Sequence, residues 1–63
     1  MTTITGKLEL DTEGSYWLWE GDIPIAVRFS SREAAHAVRL NKRITLALSD
    51  EPDGDGRYLV SLP

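Results

Sequence analysis

The sequence predicts a small α+β domain: an antiparallel five-strand sheet or partly open barrel with one helix, in the order β-β-β-α-β-β. Three observations predict this fold. Apolar and polar residues alternate in five short segments, which is the period of a half-buried strand. Turns rich in Gly and Asp separate those segments, and one run of helix-forming residues interrupts the alternation. The connections are short, so mainly antiparallel pairing is expected.

The first half of the chain predicts three strands joined by tight turns. Alternating or aromatic segments run through residues 4–10, 15–20 and 23–29. Polar, Gly-containing turns separate them, which is typical of hairpins. Pro24 cannot donate a ladder hydrogen bond, so we expect it near a strand start or on an edge.

A helix and two further strands are predicted in the second half. Ser30 and Glu33 fit a capping box, with Ser30 as the N-cap. The alanine-rich run that follows predicts about three turns of helix ending near Asn41, a residue that tolerates the left-handed conformation. Alternation returns at residues 44–48 and 58–62, on either side of a loop dense in Asp, Gly and Pro.

Composition limits the class of protein. Residues 1–63 are enough for a single domain, with a monomer or a homodimer as the expected state. There is no cysteine, no apolar run of membrane-spanning length and no signal-like N-terminus. We therefore expect a cytoplasmic protein without a membrane association, and no cofactor or metal.

The candidate chemistry is that of binding rather than catalysis. His36 is the one imidazole, and its position within the predicted helix favours a surface role. No Gly-rich phosphate loop is present. The acidic loop matches the first half of an EF-hand, but Leu62 stands where that motif needs a bidentate Glu. The chain is therefore not expected to be an enzyme.

Charge is segregated along the chain although the net charge is only −3. Residues 1–26 carry five acids against one lysine, residues 27–43 carry five cations against one acid, and residues 44–63 carry four acids against one arginine. Charge asymmetry of this kind bears on partners rather than on fold.

The acidic segments suggest one binding surface. Carboxylates gathered at the hairpin ends could enter a cationic groove that is built for phosphates. Eight acids form this predicted surface: Asp11, Glu13, Glu20, Asp22, Asp50, Glu51, Asp53 and Asp55. Trp17 and Trp19 share a strand face and would be apolar anchors if that face is exposed. The alternative interpretations are acidic turns that serve solubility and tryptophans that belong to the core.

The basic segment suggests the alternative function, a small nucleic-acid-binding module. Arg32, Arg39 and Arg43 would share one stripe, together with His36, if the helix continued through residue 43. Such a stripe could follow a phosphate backbone. The acidic pI of about 4.9 makes direct nucleic-acid binding the less favoured reading, and a solvated face paired with acids of the sheet is the other interpretation.

The carboxylate-rich turns at Asp11-Thr12-Glu13 and Asp50-Glu51-Pro52-Asp53-Gly54-Asp55 allow a comparison of the whole chain in size and character. A lone, acidic, cysteine-free domain of this size resembles the small phage-encoded inhibitors of the anti-CRISPR type, several of which are acidic mimics of DNA. The resemblance implies a non-catalytic inhibitor in the host cytoplasm. Its partner would be a host nucleic-acid-binding protein, such as a subunit of a CRISPR effector complex, for which it competes with nucleic acid.

Overall fold

A computed structural model describes residues 2–63, and it contains the predicted five strands and one helix in the predicted order. The elements are β1 (Thr2–Leu10), β2 (Tyr16–Glu20), β3 (Ile23–Phe29), α1 (Arg32–His36), β4 (Arg43–Leu48) and β5 (Tyr58–Ser61). The strand segments predicted from alternation agree with the observed strands to within two residues at every end.

The five strands close into a barrel in the order β1-β2-β3-β5-β4, with β4 pairing back onto β1. Four of the five pairings are antiparallel, and β3 pairs with β5 in parallel. The expected antiparallel sheet is thus correct only in part. The reason is that β4 pairs with β1 instead of with β3, so β5 fills the gap between β3 and β4 and runs antiparallel to β4.

This strand order, with the helix between the third and fourth strands, matches the topology of the OB-fold, a five-stranded Greek-key barrel. Pro24 fits the architecture because it pairs with Trp19 of β2, whereas β3 contacts β5 only from Val27 onward. Its missing amide hydrogen therefore costs no ladder bond to β5, as expected for an edge position.

Closure of the barrel depends on a sharp approach of β1 to β2 at Gly6. β1 pairs with β4 through residues 2–7 and with β2 through residues 7–10, so it changes partners at this point. A Cβ atom at Gly6 would lie 2.8 Å from the carbonyl carbon of Trp19 and still closer to its oxygen. Only glycine leaves room for two backbones at this distance.

The core lies inside the barrel and is built by the alternate residues of each strand. Its buried cluster consists of Leu8, Leu18, Val27, Leu46, Leu48 and Val60. Tyr16 and Phe29 pack against this cluster and meet edge to face, with ring centroids 5.1 Å apart. Because Tyr16 and Leu18 point inward, their neighbours on β2 point outward.

The helix is shorter than predicted, and its cap is one residue later. Ser31 is the N-cap, and its hydroxyl accepts the amide hydrogen of Ala34, where Ser30 was expected. The helix ends at His36 instead of near Asn41. Val38 packs against the core, and the Asn41 amide donates to the Leu8 carbonyl at 2.7 Å. These tertiary contacts outweigh a helix propensity that is weak over so few residues.

Asn41 nevertheless adopts the left-handed conformation that the sequence suggested, with φ of 60°. It does so in the connection to β4, several residues after the helix has ended. In residues 2–63 there is no helix with the length and apolar character needed to cross a bilayer.

Candidate functional site

The two tryptophans lie on the outside of the barrel. Leu18 between them is fully buried, so the alternation of β2 turns Trp17 and Trp19 away from the core. We call the six outward residues around the two indoles the tryptophan face. It comprises Lys7, Glu9, Trp17, Trp19, Pro24 and Ala26. Both tryptophans are partly exposed, so neither belongs to the buried core.

One cross-strand row of this face is basic and aromatic. Lys7 lies between Arg43 of β4 and Trp19 of β2 in the strand register. Lys7 and Arg43 form no ion pair with any residue in the described range 2–63. An open groove of about 870 Å3 runs past these side chains, and Glu9 and Glu20 also line it. The groove therefore carries balanced charge beside one indole.

The first loop, residues 11–15, is organised by Asp11. One oxygen of this carboxylate accepts the backbone amides of Glu13 and Ser15 at 2.9 and 2.8 Å. The other oxygen accepts the indole N–H of Trp17 at 3.0 Å. The Trp17 bond, followed by the Ser15 amide, holds the pKa of Asp11 below its ordinary value because each stabilises the charged form. Asp11 thus fixes Trp17 at the junction between the loop and the tryptophan face.

Asp53 organises the last loop, residues 49–57, in the same way. It accepts the amides of Asp55 and Arg57 at 2.9 and 3.1 Å, and its second oxygen lies 2.9 Å from Nε of Arg28. The two backbone bonds, the Arg57 amide first, and the Arg28 charge after them lower the pKa of Asp53. This carboxylate, part of the EF-hand-like sequence, is used as a loop cap and ion-pair partner. In residues 2–63 there is no cluster of three or more potential metal ligands.

The two loops lie side by side. A terminal nitrogen of Arg57 donates to the Ser15 hydroxyl at 3.0 Å, which ties the last loop to the first. We call residues 11–15 and 49–57 together the acidic end. It contains six of the eight predicted carboxylates, namely Asp11, Glu13, Asp50, Glu51, Asp53 and Asp55, against one cation in the same segments. Trp17 is bonded to this end, so aromatic and acidic features adjoin.

Glu20 and Asp22 do not join that cluster. They belong to the β2–β3 turn, at the far end of β2, whose five residues span about 16 Å. The eight predicted carboxylates therefore divide into two groups. The carboxylates lie in or next to the turns between strands, and successive turns of an antiparallel meander are at opposite ends of its strands.

The predicted arginine stripe does not form. Arg32 is the first residue of α1, but Arg39 follows the helix and Arg43 begins β4. The stripe required helical spacing through residue 43, and the helix ends at His36. Sequence reasoning also missed Lys7 and Arg28 as surface residues of interest. Lys7 carried a usable signal, since alternation puts it on the outward face of β1 opposite Trp19.

Ligands of OB-fold barrels bind on the face of strands 2 and 3 and between the first and last loops. In this chain those positions are occupied by the tryptophan face and the acidic end. A fold does not by itself imply a function, so the ligand has to be inferred from the charges and contacts of these residues. No protein-family model, no curated protein and no solved structure matches the chain.

Proposed function

We propose that this chain is a non-catalytic protein-binding module that receives a cationic protein surface at the acidic end, with Trp17 as the apolar anchor. The hydrogen bond between the Trp17 indole and Asp11 carries the proposal. It places a partly exposed aromatic ring, in a fixed orientation, at the border of a carboxylate cluster.

Charge selects the class of ligand. The acidic end has six carboxylates, of which Asp53 is partly neutralised by Arg28. The side chains of Glu13, Glu51 and Asp55 form no contact with another residue in the described range 2–63 that would neutralise them. A polyanion would be repelled here, whereas arginines and lysines of a partner would be attracted and steered.

The aromatic component supplies affinity that charge alone does not. Exposed carboxylates contribute little in water, typically less than about 1 kcal/mol for each ion pair. Tryptophan is enriched among the residues that dominate interface energies, because it buries a large area at small entropic cost. Trp17 is already held by Asp11, so little of its freedom remains to be lost on binding.

A groove that normally holds nucleic acid is the cationic surface that best fits this arrangement. Lysines and arginines there are spaced for phosphate oxygens, and carboxylates can occupy the same positions. We therefore propose that the chain competes with nucleic acid for its partner, as an inhibitor of the anti-CRISPR type would. Displacement of a labelled oligonucleotide from a purified host nucleic-acid-binding complex by increasing amounts of this protein tests that step.

The binding surface is tested separately by NMR with two probes. An arginine-rich peptide containing leucines should shift the amide signals of residues 11–15 and 49–57 and the Trp17 indole signal. A single-stranded oligothymidine should leave these signals in place. Shifts with the oligothymidine but not with the peptide would contradict the proposal.

One observation favours a second candidate function, single-stranded nucleic-acid binding. The row of Arg43, Lys7 and Trp19 combines an indole with two cations that form no ion pair among the described residues, which is the combination that such proteins use for phosphates and bases. Glu9 and Glu20 beside the row oppose it. Salt-sensitive shifts of the Trp19 indole signal with oligothymidine, lost in Lys7→Glu, would establish this function instead.

A further inference from the structure

A second groove, of about 370 Å3, opens between α1 and the strands beside it. Its lining residues, which we call the arginine groove, are Tyr16, Arg28, Phe29, Ser31, Arg32, Ala35, His36 and Arg57. The volume falls within the range of small-molecule sites. Neither the tryptophans nor the exposed carboxylates of the acidic end line it.

The charge of this groove is opposite to that of the whole protein. Three arginines line it, and no carboxylate is among the described residues that do so, although the net charge of the chain is −3. Asp53 lies beside the groove and forms an ion pair with the Nε of Arg28. Arg28 is thus paired, whereas Arg32 and Arg57 form no ion pair within residues 2–63, and their charges would attract an oxyanion in the groove.

The arginines keep donors for a ligand. Arg28 uses its Nε–H for Asp53, and Arg57 uses a terminal N–H for Ser15. A guanidinium has five N–H donors, so most of them remain on each side chain. Their existing contacts hold two of the arginines in place, while the Arg32 side chain makes no hydrogen bond or ion pair within residues 2–63. Several guanidinium groups together can donate hydrogen bonds to the several oxygens of one phosphate.

One wall of the groove is aromatic. Tyr16 and Phe29 both line it, with their rings at 79° to one another. A ligand that carries a flat ring next to its phosphate would contact both the arginines and this wall.

We propose that the arginine groove binds a phosphate monoester attached to an aromatic or heteroaromatic group, the chemistry shared by aryl phosphates and nucleoside monophosphates. The arginine groove adjoins the acidic end and shares Arg57 with it, but the carboxylates of the acidic end do not line the groove. Charge-neutralising variants at Glu13 and Asp55 should therefore leave phosphate binding nearly unchanged, so that failure of one proposal does not imply failure of the other.

The test is an NMR titration with inorganic phosphate, phenyl phosphate and adenosine monophosphate at low ionic strength. We expect both organic phosphates to shift the signals of residues 28–36, which lie outside the acidic end, and phenyl phosphate to bind about threefold or more tighter than inorganic phosphate. The stronger of the two organic ligands identifies which source of the chemistry fits better.

Arg32→Gln is the informative variant, because its side chain has no described partner whose loss would disturb the fold. It should weaken phenyl phosphate binding about tenfold, as expected for one charge-assisted contact. Arg39→Gln removes the same charge outside the groove and should have a small effect. Equal losses in the two variants, or equal affinity for inorganic and phenyl phosphate, would overturn the proposal.

Discussion

Replacing Gly6 by alanine perturbs the point where β1 leaves β4 and joins β2. The added methyl would lie 2.8 Å from the carbonyl carbon of Trp19, and ordinary van der Waals contact begins at about 3.4 Å. The obstacle is backbone, which cannot turn aside as a side chain can. The two strands must therefore separate by at least about 0.6 Å, more than a tenth of the normal strand spacing of about 4.8 Å.

The energetic cost follows from overpacking between two paired backbones. Forced insertion of one methyl group into a packed site costs about 1–3 kcal/mol, and the upper part of that range applies here because Lys7–Trp19 pairing is disturbed as well. A domain of this size has a margin of roughly 3–5 kcal/mol. We therefore expect Gly6→Ala to lose most of its stability and its melting temperature to fall by about 10 °C or more.

Thermal unfolding followed by circular dichroism measures this change, and Gly54→Ala is the matched control. A Cβ at Gly54 meets nothing within 4 Å, and its φ is not in the left-handed region. The control should melt within a few degrees of the unmodified protein. If Gly6→Ala melts as the control does, the close approach of β1 and β2 does not exist as described.

Three further predictions concern the loops and the core. Asp53→Asn should be less stable than the unmodified protein, with the full difference present at about pH 7 and a smaller one as the pH falls below about 3.8. The reason is that the charged carboxylate, whose pKa is lowered in the folded state, stabilises the fold and the protonated one does not. Urea unfolding across this pH range measures the difference. Leu18→Ala should cost about 2–5 kcal/mol and unfold much of the protein, whereas Leu62→Ala, at an exposed position, should cost under about 1 kcal/mol by the same assay. Asn41→Ala should destabilise by about 1 kcal/mol and Asn41→Gly should not, since Asn41 has φ of 60°; equal melting temperatures would exclude this backbone effect.

The strands could be predicted because their signal is local. Alternation over residues 4–10 and 23–29 fixes both the period and the buried face, and Leu8 and Val27 are indeed fully buried. Pairing β4 with β1 could not be predicted in this way. That contact joins residues about forty positions apart, as Thr5 and Thr45 illustrate, and no local pattern encodes it. The parallel β3–β5 pair follows from the same non-local choice.

The candidate site was predictable in its residue types and less so in its grouping. The sequence shows the acidic turns and a strand with large apolar residues on both of its faces, and the structure brings Asp11 and Trp17 into contact. The separation of Glu20 from the acidic end depends on which end of the barrel each turn occupies. The predicted helix length was wrong because Val38 packs against the core and the Asn41 amide donates to Leu8 of β1. Helix propensity contains no information about either contact.

The most direct test of the proposed protein-binding surface compares two variants of identical net charge. Glu13→Gln with Asp55→Asn removes two carboxylates from the acidic end, and Glu20→Gln with Asp22→Asn removes two from the opposite turn. Isothermal titration with the arginine-rich peptide should show about fivefold weaker binding for the first pair and little change for the second. Equal affinities of the two variants would mean that the peptide senses only net charge, and the acidic end would not be a binding site.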